Sequence, residues 1–325
     1  MGSRAACIML YHLLLQTVKT QQSAGVSPGQ PHLLQYDLDD GYEEAVNDLS
    51  EAASGGSLYV IIDEVASEYS HGYTMNYFQT LCKLLLTQVP RLHLWAASCF
   101  HDYIPDGWEV EYLTRPLRSP PAVVREVEQD KMITTHNYVL PYSERGVPDH
   151  TDGPPVTRLY HRGQGHSGER PVSCVTCGRE VASFLHSLRV GVTGRSTTTS
   201  TTLTSTSGGT TPPCLQWRDV LVSYWDNVFD QSGVVTGLQE AGIPVTDDDI
   251  EDVATASSDV VWVASGPRVR GLERKVVVCL EDFDYGLLTY SLQPQNLTFA
   301  RLDIMSRCTS QLVIVYPDDK PLESH

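Results

Sequence analysis

The feature that most constrains the fold is a set of short apolar runs that are rich in β-branched residues and contain almost no polar positions. A strand with one face in water alternates polar and apolar residues, whereas a continuous apolar run requires cover on both faces. Such strands are typical of parallel sheets that carry helices on each side. The runs are Leu58–Ile62, Val260–Ala264, Lys275–Leu280 and Gln311–Tyr316.

Segments with helical periodicity lie between the predicted strands. Apolar residues recur at helical spacing in Glu43–Ala53 and Met75–Gln88, and the strand Leu92–Ser98 follows. Ser232–Ala241 also reads as a helix, which Gly242 ends. The alternation of helix and strand predicts the α/β class.

The N-terminal segment allows two interpretations. Arg4 precedes an apolar stretch and small residues follow near Ser23, as in a secretory signal peptide. Tyr11 and His12 interrupt the apolar centre, so we favour an amphipathic or buried helix over Arg4–Thr20. The segment is too short and too interrupted to span a membrane, and we expect no membrane partner.

Charge and cysteine content limit the class of protein. The 325 residues carry a net charge of −17, which argues against coating nucleic acid by bulk charge but leaves room for a narrow basic groove. Eight cysteines are scattered over the whole length rather than packed into a disulfide framework. They predict reduced thiols and an intracellular protein of the nucleus or cytoplasm.

An early acidic pair and a late arginine are the first candidates for chemistry. Asp63 and Glu64 end the run that begins at Leu58, at the strand edge where nucleotide-hydrolysing folds hold magnesium. Arg307 follows Ser306 near the end of the chain, and a guanidinium suits contact with a transferring phosphoryl group. The pair suggests a nucleotide motor with two lobes.

The order of these segments resembles that of the superfamily 1 helicase-like NTPases of the UvrD/Rep type. The resemblance covers most of the chain and is loosest in its middle. Two motifs near the C-terminus, at the family's order and spacing, carry it best. The matching segments are Leu58–Glu64 (Walker B strand), Leu113–Val124 (arginine-bearing segment), Trp217–Val245 (opening of the second lobe), Arg270–Val278 ("KGLEfdvVi") and Ala300–Thr309 ("rLlYVAlSRAt").

The resemblance implies a P-loop NTPase with two RecA-like lobes, the first incomplete at its N-terminus, and ATP and Mg²⁺ in the cleft between them. Asp63 would hold Mg²⁺ through water, and Glu64 would orient or deprotonate the attacking water. In the family, ATP hydrolysis moves single-stranded DNA or RNA across both lobes. Single-stranded nucleic acid is therefore the expected partner.

The resemblance also assigns residues to the far side of the cleft. Arg118 and Arg307 would contact the γ-phosphate and stabilise charge in the transition state. Arg115, one helical turn from Arg118, is an alternative. Gly271 and Glu273 match a nucleotide-binding motif, in which Glu273 would contact the sugar.

Three departures from the family pattern weaken the transfer of activity. No GxxxxGK[ST] phosphate loop occurs in the sequence, Ala96–His101 lacks the glutamine of the "GDxxQ" motif, and accessory subdomains have no room. Losing about four charge-assisted hydrogen bonds removes roughly 6–12 kcal/mol, against about 8 kcal/mol for micromolar binding. We expect impaired ATP binding, either because the chain is a truncated form of a longer protein, which we favour, or because it is a degenerate member.

The expected organisation has three parts. Residues 1–130 form the first RecA-like lobe and residues 131–170, which are polar and rich in Gly, Pro and His, form a connector. Residues 171–325 form the second lobe, interrupted by a Ser/Thr-rich loop at 194–213.

Cys174 and Cys177 form a CxxC pair of separate interest. The sequence before them imitates the linker of a C2H2 zinc finger, but the histidines that a finger needs afterwards are missing. A different zinc site, with His161 and His166 as the other ligands, is possible on ligand chemistry. Buried or incidental cysteines are the commoner explanation.

Three functional hypotheses follow. The first is a helicase-like ATP hydrolase whose activity needs a phosphate loop. The second is a non-catalytic interaction or regulatory module on a degenerate helicase scaffold. The third is a zinc-stabilised regulatory module centred on Cys174 and Cys177.

Overall fold

The computed structural model describes most of the helices and strands that the sequence predicts in residues 1–130 and 171–325. The described residues are 4–25, 31–34, 36, 38–53, 56–62, 73–97, 107–114, 116, 118–134, 141–142, 152–168, 170–191, 215–224, 232–246, 258–269, 272–282 and 301–317. The predicted Ser/Thr-rich loop at 194–213 lies outside them. The boundaries of the expected lobes and connector stay a prediction.

The described residues of the N-terminal half form three helices and a two-stranded parallel sheet. The helices are α1 (Arg4–Ser23), α2 (Leu38–Ala52) and α3 (Tyr73–Gln88), and the strands are β1 (Leu58–Ile62) and β2 (Leu92–Ala96). The predicted stripe on α3 is buried at Phe78, Leu81 and Leu85, where it packs with α2 and with the inner face of the sheet. Within the described helices, none combines the length and the apolar character that crossing a membrane requires.

The first strand differs from its prediction in one respect. We expected a strand covered on both faces, but Tyr59 and Ile61 are 65% and 54% exposed. Tyr59 stacks on His93 of β2, and Trp95 continues this row of rings on the outer face. The apolar composition is therefore that of a half-covered strand whose outer face carries aromatic residues.

The remaining elements build a six-stranded sheet in which every pairing is parallel, as the continuous apolar runs predict. The strand order is β3-β8-β7-β4-β6-β5. The strands are β3 (Thr157–Tyr160), β4 (Val220–Tyr224), β5 (Val245–Thr246), β6 (Val261–Ser265), β7 (Arg274–Leu280) and β8 (Cys308–Tyr316). β3 lies inside the expected connector, so this segment contributes an edge strand.

Helices cover both faces of the six-stranded sheet, and successive residues of its central strands enter two separate cores. α6 (Val175–Gly191) and α7 (Ser232–Glu240) pack on one face, with Val276, Val278 and Leu280 of β7 beneath them. α4 (Pro121–Gln129), the short α5 (Lys131–Thr134) and helical residues 301–306 cover the other face. This α/β sandwich confirms the predicted fold class.

The helix α7 ends as its sequence predicts. Gly242 has φ +78°, and the next amide, that of Ile243, donates to the carbonyl of Leu238 over 3.1 Å. This left-handed glycine closes the helix in a Schellman motif. The chain then turns directly into the short strand β5.

Candidate functional site

A cavity of about 560 Å³ opens at the amino ends of the central strands of the six-stranded sheet. Parallel strands bring their amino ends to one edge, so residues that are far apart in sequence meet there. We call this space the basic cavity. Its lining residues are Arg118, Arg218, Asp219, Trp262, Glu273, Arg274, Lys275 and Thr309.

The basic cavity is positively charged within a strongly acidic protein. Four cationic and two acidic side chains line it, while the whole chain carries a net charge of −17. Lys275 Nζ pairs with Asp219 Oδ2 at 2.8 Å, and Arg118 Nη1 pairs with Glu273 Oε2 at 2.8 Å. Arg218 and Arg274 remain without a carboxylate of their own among the described residues. A local positive field of this kind attracts anions.

Arg274 of the basic cavity has a buried donor that is not satisfied. Its Nη1 donates to the carbonyl of Glu273 over 2.9 Å, but its Nε is buried without a hydrogen-bond partner in the described part of the chain. Burial lowers the pKa of this guanidinium, and the more distant Asp219 carboxylate opposes that shift only in part. Because the Arg274 side chain lines the basic cavity, its guanidinium can contact an anion bound there.

Two of the residues that the sequence predicted for nucleotide binding, Arg118 and Glu273, meet in this cavity. Ser119, next to Arg118, fixes the segment by donating its hydroxyl to the carbonyl of Ser306 over 3.0 Å. The arginine-bearing segment and the "SR" motif are therefore neighbours at one edge of the sheet. The Arg118 side chain is 72% exposed, so it is free to exchange its partner.

Arg307 takes a different position. Its guanidinium is buried, forms an ion pair with Asp303 and donates to the carbonyl of Leu272 over 3.3 Å. It is not among the residues that line the basic cavity. The predicted contact with a phosphate stays a prediction, and it would require this ion pair to open. Asp63, Glu64, Gly271 and Arg115 lie outside the described residues.

A buried cluster of charges, not singled out from the sequence, lies at the opposite ends of the strands. Arg301 forms ion pairs with both Glu281 and Asp130. Burial disfavours the guanidinium, but the two carboxylates outweigh it and raise the pKa of Arg301. Burial raises the pKa of Glu281 to about 7 although Arg301 opposes this shift. The cluster joins the segment before α5 to the end of β7.

Asp282, the next residue after Glu281, is a second buried carboxyl. Its Oδ1 accepts a hydrogen bond from the Val172 amide over 2.9 Å, whereas its Oδ2 has no partner among the described residues. Burial raises the pKa of this carboxyl to about 7, against the Val172 amide and Arg170. Arg170 Nη1 also donates to the Asp282 carbonyl over 3.2 Å. The segment that leads into α6 is thereby bound to the end of β7.

His161, His166, Cys174 and Cys177 come together beside this segment, and their possible ligand atoms all lie within 4.8 Å of one another. His161 follows the edge strand β3, His166 lies in the glycine-rich loop after it, and the cysteines flank the start of α6. Both cysteines are buried and have free thiols. The structure therefore unites the four residues that the sequence offered as a possible zinc site.

The geometry of the loop explains how the histidines reach the cysteines. Gly168 has φ +87°, and a Cβ at this position would lie 2.7 Å from Ser173 Oγ. The loop turns back on itself there and brings His166 over the start of α6. Burial lowers the pKa of His161 and raises the pKa of Cys177.

Sequence reasoning missed several residues of the basic cavity, in particular Arg218, Arg274, Lys275 and Trp262. Arg274 and Lys275 directly follow Glu273 in a segment that was already of interest, so their position in the sequence was an available signal. Arg218 and Trp262 gave none, because each belongs to a different strand region and only the strand order joins them.

Comparisons with known proteins give limited information. No protein-family model matches the sequence, and no curated protein matches it. One similar solved structure is the crystal structure of the C-terminal domain of a possible DNA helicase from Lactobacillus plantarum WCFS1, which is 13% identical. The match covers 63% of this chain and 90% of that chain, with a TM-score of 0.35. Similarity at this level does not assign a function.

Proposed function

We propose that this chain is a helicase-like nucleotide-binding protein in which the basic cavity receives the phosphates of ATP. The observation that carries the proposal is the cavity's excess of positive charge at the amino edge of a parallel sheet, in a chain whose net charge is −17. A cavity of about 560 Å³ is in the range of small-molecule sites. Its polar groups converge from separate elements, which is also typical of such sites.

Several cations of the basic cavity would each contact the phosphates. Arg274 and Arg218 each bring a guanidinium to the cavity, and a guanidinium can donate two parallel hydrogen bonds to a phosphate. Arg118 is exposed enough to move from Glu273 to a phosphate. Released in this way, Glu273 would be available to a sugar hydroxyl, the contact that the family resemblance implies.

The same reasoning gives the expected chemistry in the intact family. A bound Mg²⁺ would neutralise negative charge on the phosphates. Asp63 would hold this ion through water and Glu64 would act on the attacking water. Arg118 and Arg307 would stabilise the transferred phosphoryl group. Hydrolysis would then be coupled to movement along single-stranded DNA or RNA.

Binding by this chain alone is expected to be weak. The sequence contains no phosphate loop, and the hydrogen bonds that such a loop supplies are worth roughly 1.5–3 kcal/mol each. The proposal therefore predicts nucleotide affinity well short of the micromolar range. It also predicts that the remaining affinity resides in the basic cavity.

A titration with a fluorescent ATP analogue and Mg²⁺ tests this function. Arg274→Ala should weaken binding about tenfold, because it removes one charge-assisted contact of roughly 1.5 kcal/mol. Arg179→Ala is the matched control, since Arg179 of α6 is an exposed arginine that pairs with Glu240 of α7. Equal affinities of the Arg274 variant and the parent chain would contradict the proposal.

A second candidate is a non-catalytic interaction module on the same scaffold. The observation in its favour is that carboxylates already occupy both predicted phosphate-contacting arginines, Glu273 for Arg118 and Asp303 for Arg307. Calorimetry with ATP and Mg²⁺ separates the two candidates. Saturable binding that Arg118→Ala weakens would support the nucleotide-binding function, and the absence of heat at millimolar nucleotide would favour the interaction module.

A further inference from the structure

We propose that His161, His166, Cys174 and Cys177 form a structural zinc site that fastens the helix α6 to the edge of the six-stranded sheet. The site is independent of the basic cavity. Structural zinc sites are four-coordinate and use only Cys and His ligands, including the Cys2His2 set present here. Two thiolates and two imidazoles in a tetrahedral arrangement are diagnostic of zinc among the common divalent ions.

The distances between the donor atoms match a tetrahedron around zinc. With Zn–S bonds of about 2.3 Å and Zn–N bonds of about 2.0–2.1 Å, the edges of the tetrahedron are about 3.3–3.8 Å. His161 Nδ1 lies 3.3 Å from Cys177 Sγ, and His166 Nδ1 lies 3.5 Å from both Cys174 Sγ and Cys177 Sγ. Small side-chain rotations complete the set, since all four donors lie within 4.8 Å of one another.

The second nitrogen of each imidazole strengthens the assignment. His161 Nε2 lies 3.2 Å from the carbonyl oxygen of Gly168, and His166 Nε2 lies 3.4 Å from Glu180 Oε1. Ligating histidines almost always donate their other N–H to a carbonyl or a carboxylate, which fixes the tautomer and the ring orientation. Both rings have such an acceptor, and in both the Nδ1 atom faces the cysteines.

The cysteines are also arranged as ligands. The amide of Cys177 donates to Cys174 Sγ over 3.4 Å, and hydrogen bonds of this kind stabilise a thiolate. Both cysteines are fully buried and the His166 side chain is only 7% exposed. With four protein donors and little access to solvent, the site is closed, as structural rather than catalytic zinc sites are.

The position of the site indicates what the ion stabilises. His161 directly follows the edge strand β3, and Cys177 lies in the first turn of α6. Between them, Val172 donates to Asp282 Oδ1 at the end of β7. The ion would join the edge strand, the loop and the helix, so that α6 holds its place over the sheet core.

A redox-active cysteine pair is the main alternative, since CxxC at the start of a helix is also found in disulfide oxidoreductases. That chemistry requires access of another thiol or disulfide to a sulfur atom. Both sulfur-bearing side chains are completely buried here, and two imidazoles cover them. The geometry therefore favours a metal over thiol–disulfide exchange.

Metal analysis of the full chain, purified without chelators under reducing conditions, tests the proposal. Mass spectrometry of the metals should find about one zinc per chain, and Cys177→Ser should lose most of it. Cys279→Ser is the matched control, since Cys279 is an equally buried cysteine of the same α/β unit outside the cluster, and it should keep its zinc. Chelation should lower the melting temperature of the parent chain but not that of Cys177→Ser.

A second variant and an absorption spectrum distinguish the loss of a zinc ligand from misfolding of the Cys177→Ser variant. His161→Cys keeps four ligands, because Cys3His is also a structural set, and it should retain zinc. Replacement by Co²⁺ should give the visible bands of a tetrahedral ion and a thiolate-to-metal charge-transfer band. Zinc far below one equivalent without a cobalt spectrum, unchanged zinc in Cys177→Ser, loss of zinc from His161→Cys, or a Cys174–Cys177 disulfide would each overturn the proposal.

Discussion

Arg118 and Glu273, which are 155 positions apart in sequence, form a direct ion pair of 2.8 Å at the mouth of the basic cavity. The Arg118 side chain is largely exposed, so the pair itself contributes only about 0–1 kcal/mol to stability. Its significance is electrostatic: the carboxylate cancels one of the charges that an incoming phosphate would meet. Substitutions at Glu273 should therefore act on anions and on nucleosides in opposite directions.

Glu273→Ala should strengthen the binding of inorganic tripolyphosphate. The same change should lower the affinity for ATP relative to the affinity for tripolyphosphate. The polyphosphate gains a freed Arg118 guanidinium, while ATP loses its contact at the sugar. The ratio of the two affinities should change by about tenfold, which corresponds to roughly 1.4 kcal/mol. Isothermal titration calorimetry with each ligand measures this ratio.

Asp219→Ala is the control for that experiment. Asp219 also lines the basic cavity and pairs with a cation, Lys275, but it has no expected contact with a sugar. Asp219→Ala should strengthen the binding of tripolyphosphate and of ATP to a similar extent. Identical effects of the two variants on the affinity ratio would show that Glu273 acts only through its charge.

The buried cluster of Arg301, Glu281 and Asp130 should be a strong determinant of stability. Arg301→Met removes the cation that pairs with both Glu281 and Asp130 while keeping much of the side-chain volume, so both carboxylates lose this buried ion pair. Breaking a buried ion pair in this way costs about 3–5 kcal/mol. Urea denaturation followed by circular dichroism measures the loss of unfolding free energy.

An exposed arginine provides the comparison for Arg301. Arg179 pairs with Glu240 on the surface, where ion pairs contribute about 0–1 kcal/mol. Arg179→Met should therefore leave the denaturation midpoint almost unchanged. A similar midpoint for the Arg301 and Arg179 variants would contradict the stabilising role of the buried cluster.

Asp282 should make the protein more stable at mildly acidic pH. Its pKa is about 7 in the folded protein and 3.8 as an unperturbed group, so the folded state binds the proton more tightly. Its contribution is fully present below about pH 4 and is lost as the pH rises to about 7. The slope reaches about 1.4 kcal/mol per pH unit for a single group.

Asp282→Asn isolates this contribution. The amide keeps an oxygen that can accept the Val172 N–H but has no proton to release. Denaturation midpoints of parent and variant, measured between about pH 5 and pH 8, should show a flatter profile for the variant. Glu281, whose pKa is also raised to about 7, is present in both proteins and cancels in the comparison. Parallel pH profiles of the parent and the variant would contradict a contribution of Asp282 to the pH dependence of stability.

Gly237 should not tolerate a side chain, although alanine is the better helix former. A Cβ at this position of α7 would lie 2.2 Å from the Val175 carbonyl oxygen and 2.8 Å from the Arg179 amide of α6. The backbones of the two helices approach each other too closely for a methyl group. Gly237→Ala should lose about 1–3 kcal/mol through overpacking, measured by thermal denaturation.

Gly41 of α2 offers the matched glycine-to-alanine change. No atom lies within 4 Å of a Cβ built there, so alanine meets open space. Gly41 lies at a kink of α2 with φ −135° and ψ 17°. This conformation is less favourable for alanine and offsets part of the entropy gain, so Gly41→Ala should change stability by less than about 1 kcal/mol. A loss of the same size at both positions would attribute the effect at Gly237 to something other than the contact between α6 and α7.

The elements that could be predicted are those with a strong local pattern. β7 and β8 were evident because their apolar runs have no polar interruption, and α7 was evident from its periodicity and from Gly242. β3 was not predicted, because it has only four residues and one of them is Arg158. An edge strand of this kind owes its existence to pairing with β8 rather than to its own sequence.

The candidate sites depended more on tertiary structure than the elements did. Arg118 and Glu273 were foreseen, but Arg218 joins them only because β4 lies beside β7 in the strand order. His161 was foreseen as a possible ligand from its chemistry, whereas its distance from Cys177 depends on a loop that turns at glycines with positive φ. Local sequence patterns do not contain either relationship.

The strand order also has a consequence for how the protein is made. β8 leaves the ribosome after β3 and β7, yet it lies between them and hydrogen-bonds to both. Until Cys308–Tyr316 emerges, β3 lacks the strand with which it pairs in the described part of the chain, and the flank of β7 that receives β8 is open. During synthesis, the nascent sheet therefore has an unpaired strand edge. Chaperones would bind such an incompletely folded chain.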